Sequence, residues 1–125
     1  MMSGTIHADQ RYRDETNLLR LFEHLEHALA DASQMDSADA LESDRRLFNS
    51  VAMEMLQAQE SARRLSDEFL SSAPALPWKE LRGLRNIIVH QYDEIESHAL
   101  YESATANVKS LLEQLRPYVA TIEDE

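Results

Sequence analysis

Only two glycines and three prolines punctuate the 125 residues, and no stretch shows the alternating, Val/Ile/Thr-rich pattern of a β-strand. Apolar residues recur instead at i, i+3/i+4 and i+7, the spacing of an amphipathic helix. Together these features predict an all-α chain. A first helix is expected over residues 9–32, with Leu18, Leu21, Phe22, Leu25 and Leu29 inward. After the polar break "SQMDSADA", one long helix is expected over 38–70, its stripe running Leu41, Phe48, Val51, Met55, Ala58, Ala62, Leu65 and Phe69. Pro74 and Pro77 end it, since neither fits a helix interior. Pro77 suits the first position of a third helix, where its missing N–H is harmless, and that helix is expected over 77–94. Glu80 in its first turn complements the macrodipole. A fourth helix is expected over 97–118, with Leu100, Ala104, Val108, Leu111, Leu112 and Leu115 inward. Pro117 is expected to kink or end it, leaving "TIEDE" as a frayed acidic tail. The fold class read from this pattern is an antiparallel four- (to five-) helix bundle.

The length suits a single domain over residues 1–125, large enough for a real core, with 1–8 and 122–125 expected as flexible tails. Without cysteine, neither a disulfide framework nor a thiolate metal site is available. The N-terminal segment is charged early and has no apolar run, so no leader or membrane anchor is expected and the default location is cytoplasmic. A net charge of −11 argues against a general nucleic-acid binder, which presents a basic face. RNA binding would have to rest on a local cationic patch.

Such a patch is written in the third helix. On a wheel of ~100° per residue with Arg85 at zero, Leu81, Leu84, Ile87, Ile88, Gln91 and Ile95 share one sector, the bundle-core face. Lys79, Arg82, Arg85, Asn86, His90, Tyr92 and Asp93 share the complementary sector. Val89 lies in the middle of that polar face, which suggests that a second protomer covers it. Gly83, at a cost of ~1 kcal/mol relative to Ala, suggests a close approach by another backbone or a ligand. From spacing alone, a solvated helix face remains the simpler reading.

The stretch "RNIIVHQY" (85–92) with its lead-in "PALPWKELRGLRN" (74–86) resembles the HepT-like branch of the HEPN superfamily, whose motif is Arg-x4-His-x-Tyr. Upstream, "AQESARRLSDEF" (58–69) is similar to the long helix that precedes the motif in that branch. The resemblance covers roughly residues 40–118. It departs at Gln59, where relatives often carry Gly, and at Met53-Glu54, where an Arg-Asn pair is expected; residues 1–35 match only in being helical. The resemblance implies a HEPN-like bundle that forms a homodimer through the motif helices. It further implies a toxin of a toxin–antitoxin pair, a metal-independent endoribonuclease without cofactor. Its implied partner is a MntA-type nucleotidyltransferase antitoxin that silences it by AMPylation of Tyr92.

The chemistry of these residue types agrees with that implication. RNA carries its own nucleophile, the 2′-OH, so its cleavage needs proton transfer and charge stabilisation. His90 can accept or donate the proton, and Arg85 can hold the phosphate oxygens. Asn86 can orient His90 from one turn away. Arg82 and Lys79 are candidate RNA-binding residues. An AMP group on Tyr92, almost above Arg85 on the wheel, would block the cleft and neutralise its cations. A non-catalytic HEPN module that binds a nucleotide or docks the nucleotidyltransferase is the alternative, and a plain interaction bundle is a third reading.

Other constellations carry less. "EHLEH" (23–27) places His24 and His27 on one helical face, yet no Glu-x-x-His occurs anywhere, so it reads as solvated surface and no metal site is expected. His7 and His98 read as structural or idle, and Met53 and Met55 as packing residues. Arg45, Arg46, Arg63 and Arg64 read as solvated and paired with nearby acids, with Arg63 or Arg64 an optional extension of the RNA track. Trp78 suits a capping role at the helix start better than base stacking.

Overall fold

A computed structural model describes residues 8–85 and 96–124. Every regular element among them is helical: α1 (Ala8–Ala32), α2 (Ala38–Ser43), α3 (Arg45–Arg63), α4 (Asp67–Ser72), α5 (Trp78–Arg85), α6 (Ser97–Glu102) and α7 (Val108–Glu123). A π-helical turn, Ser103–Asn107, joins α6 to α7 without a break. The all-α bundle expected from the pattern is therefore the fold. No described helix is long and apolar enough to cross a membrane.

The core is the α1 stripe of Leu18, Leu21 and Leu25, packed against α3 through Val51, Ala58 and Ala62 and against α7 through Leu112 and Leu115. All of these are at most 1% exposed. Each buried Leu or Val contributes about 1.5–3 kcal/mol relative to leaving it in water. α3 also packs on α5, and α2 on α6. Ser97 Oγ donates to Glu42 Oε2 at 3.0 Å and ties that second pair. Tyr101 Oη donates to the Met35 carbonyl at 2.7 Å, closing the loop after α1 onto α6.

Three expectations need correction. The long helix over 38–70 is three helices. Asp44 leaves helical geometry (φ −101°, ψ 93°) and its side chain accepts from Leu47 N–H, capping α3. Ser66 likewise caps α4, accepting from Phe69 N–H at 3.1 Å. Short polar side chains that bond the backbone locally compete with helix continuation, and here they win twice. The apolar stripe survives because it runs across the breaks: Leu41, Val51, Leu65 and Phe69 are all buried.

The opposite error occurs at the C-terminus. Pro117 neither ends the helix nor leaves a frayed tail, because α7 continues to Glu123. Val119 is buried, Ile122 packs on the core, and Tyr118 meets Phe69 edge-on with ring centroids 6.0 Å apart. That apolar burial outweighs the ~3 kcal/mol penalty of an interior proline. Met53 is also 44% exposed instead of packed, whereas Met55 is in the core as expected.

Candidate active site

α5 is the described part of the motif helix. The prolines before it fold into a tight lead-in: Leu76 N–H donates to the Ala73 carbonyl at 2.9 Å, and Trp78 N–H to the Leu76 carbonyl at 2.8 Å. The Pro77 carbonyl accepts the first helical bond, from Leu81 N–H at 3.0 Å, so the helix begins one residue later than expected. Glu80 stands in its first turn, near the positive end of the helix dipole. Leu81 is fully buried and fixes the rotation of α5 on α3. Lys79 and Arg82 are consequently exposed, on the face the wheel assigned to them.

The Arg82 guanidinium lies over the Trp78 ring, 5.3 Å from its centroid. Trp78 stands at the start of α5 and is 48% exposed; together with Arg82 it forms a cation–π pair on the surface. The two line a cleft of about 300 Å³ with Leu70, Ser71 and Pro74. A second cleft of similar size runs along α5 between Glu80, Gly83, Leu25, Met55 and the π turn at Ser103 and Asn107. A Cβ placed on Gly83 would meet no atom within 4 Å. The close approach expected at this glycine is therefore not made by the described residues of the chain itself.

Arg85 is the last residue of α5, placed by its backbone on the helix that carries Lys79 and Arg82. Its side chain, together with Asn86, His90, Tyr92 and the apolar Val89, lies outside the described residues. The chain re-enters at Glu96, which caps α6 by accepting from His98 N–H at 3.0 Å and Ala99 N–H at 2.7 Å. Those two backbone donors hold the Glu96 carboxyl below its ordinary value.

Of the other arginines, Arg45 and Arg46 are exposed. Arg63 and Arg64 both pair with Glu60, at 3.9 and 3.7 Å, and are engaged on α3. His98 stands 3.5 Å from Asp39 on the surface. The "EHLEH" histidines are placed differently from the expectation. His24 Nδ1 lies 2.7 Å from Glu54 Oε1, and His27 Nδ1 lies 3.1 Å from Glu54 Oε2. Sequence spacing gave no sign of this, since Glu54 comes from another helix.

Comparison with known proteins adds the context. The family model described as Ribonuclease HepT-like matches residues 17–118. The match begins in α1, well before the residue-40 limit of the motif-based resemblance. Three curated proteins that carry RNase in their names are similar over part of the chain. One from Methanocaldococcus jannaschii is 32% identical over 56 residues, 45% of this chain and 51% of the relative. A second from the same organism is 22% identical over 82 residues, 66% of this chain and 68% of the relative. One from Caldanaerobacter subterraneus is 26% identical over 57 residues, 46% of this chain and 51% of the relative. The matched stretches thus span about half the length of two of these relatives. No solved structure matches the chain.

Proposed function

Because the chain belongs to the HepT-like ribonuclease family, we propose that it is an endoribonuclease of the toxin type, using Arg85 and His90 without a metal. The observation that carries this reading is the family match over 17–118 with the Arg-x4-His-x-Tyr motif intact at Arg85, His90 and Tyr92. In the proposed reaction the RNA 2′-oxygen bonds to phosphorus and loses its proton to one imidazole. The P–O5′ bond breaks, and a second imidazole protonates the leaving oxygen. The products are a 2′,3′-cyclic phosphate and a 5′-hydroxyl. One chain carries one motif histidine, so the second imidazole comes from the motif helix of a second copy, and the working unit is a homodimer. Arg85 stabilises charge on the non-bridging oxygens, where it develops in the transition state. Asn86 orients His90.

The exposed Lys79 and the Arg82–Trp78 pair extend the cationic face along α5 and supply contacts for phosphate and for a stacked base. Tyr92 is the residue a MntA-type nucleotidyltransferase would modify. AMP there adds bulk and negative charge beside Arg85 and closes the cleft, which makes the pair a toxin and its antitoxin.

The test is cleavage of a broad RNA panel in EDTA by purified, unmodified protein, beside His90→Ala. Cyclic-phosphate ends from the wild type and none from the variant are expected. A folded, unmodified wild type that cuts nothing would overturn the enzymatic reading. The motif face would then be a docking or nucleotide-binding surface.

A further inference from the structure

His24 and His27 lie one turn apart on α1, and both present Nδ1 to a single carboxylate, that of Glu54 on α3. One donor atom from each of the three residues can be chosen so that all lie within 4.8 Å of one another. The side chains are 25%, 54% and 21% exposed respectively, so the cluster is reachable from solvent while two of its members are held by packing. α1 and α3 are the most extensively packed helix pair among the described residues, which fixes the distance between the donors.

We propose that His24, His27 and Glu54 bind a divalent first-row transition ion of the zinc class and so clip α1 to α3. Two imidazoles and one carboxylate suit Zn²⁺ and its neighbours, whereas Mg²⁺ and Ca²⁺ prefer all-oxygen sets. Ligands held about 2.1 Å from a tetrahedral ion stand roughly 3.4 Å apart. The observed 2.7 and 3.1 Å contacts must open by about 0.7 and about 0.3 Å to admit it, a shift within reach of side-chain rotation. With a cation in place of the shared hydrogen-bond protons, each Nδ1 and the Glu54 carboxylate become ligands, and water completes the shell. The net charge of −11 draws cations to the surface in general, and the imidazoles select among them. One turn further along both helices, Ser50 Oγ already donates to Asp31 at 2.6 Å, so Asp31 is engaged and the ligand set stays at three. None of the three residues belongs to the motif helix, so this inference and the ribonuclease reading stand or fall separately.

The test uses tag-free, full-length protein, stripped with chelator and desalted, and titrated calorimetrically with Zn²⁺ or with Mg²⁺. One Zn²⁺ per chain is expected, with a higher Tm on binding and no such response to Mg²⁺. His24→Ala and Glu54→Gln should each weaken Zn²⁺ binding at least about tenfold and abolish the rise in Tm, with helical circular dichroism retained. Should either variant fail to fold, His27→Ala, the most exposed of the three, carries the same expectation. Zn²⁺ binding undiminished in the folded variants would assign it to other histidines and overturn the proposal. So would a folded wild type that binds no Zn²⁺, or one that responds equally to Mg²⁺.

Discussion

A single buried carboxylate does more for this fold than its place in the sequence suggests. Asp14, fully buried on α1, accepts from Ser66 N–H at 2.8 Å, from Ser66 Oγ at 2.7 Å and from Gln10 Nε2 at 3.2 Å. Asp14→Ala removes the acceptor from the half-buried Ser66 N–H and hydroxyl. The expected loss is about 1–3 kcal/mol per group, seen as a lower midpoint in urea denaturation. Asp14→Asn keeps one acceptor and should lose less. Gln59 is the converse case: it is 4% exposed, and its Nε2 finds no partner among the described residues. Gln59→Met keeps the volume and removes the unpaired amide, so an unchanged or higher Tm is expected, checked by thermal melts. Neither fate was legible in the sequence. Asp14 reads as one more acid on a polar turn, and its partner lies 52 positions away.

Among the helices, the apolar stripe was legible and the boundaries were not. Leu41, Val51, Met55, Ala58, Ala62, Leu65 and Phe69 are all buried as the 3.6-residue period required. Periodicity reports which face is covered. It does not register that Asp44 and Ser66 can turn their side chains onto the backbone and restart the helix. Pro117 shows the same lesson with reversed sign, since a strong local breaker is overruled by the burial around Val119 and Ile122. The start of α6 yields a pH prediction. The Glu96 carboxyl is lowered by the His98 and Ala99 amides, with His98 charge a smaller influence. A lowered carboxyl favours the folded state above the ordinary glutamate range, and that contribution disappears as pH falls through the lowered value. Thermal melts should therefore separate wild type from Glu96→Gln at ~pH 7 and bring them together once the pH is below the lowered carboxyl.

At the scale of the molecule, an acidic body carries a small cationic face on α5. The wheel placed Lys79 and Arg82 outward and Leu81 inward, and all three stand so. A wheel shows faces and not partners, so the pairing of Trp78 with Arg82 is not legible in it. In a His90→Ala background, Arg82→Ala should weaken RNA binding and flatten the dependence of log K on log salt by about one, read by fluorescence anisotropy. Sedimentation of the wild type is expected to give twice the chain mass. Family resemblance and folding unit also have different edges in this protein. The stretch shared with HepT-like ribonucleases begins at residue 17, yet Asp14 and Gln10, which secure the start of α4, lie upstream of it. A chain shortened to that edge would keep every motif residue and lose the anchor beneath Ser66. It would carry the whole Arg-x4-His-x-Tyr signature and yet be loosened at the start of α4, the helix that precedes α5.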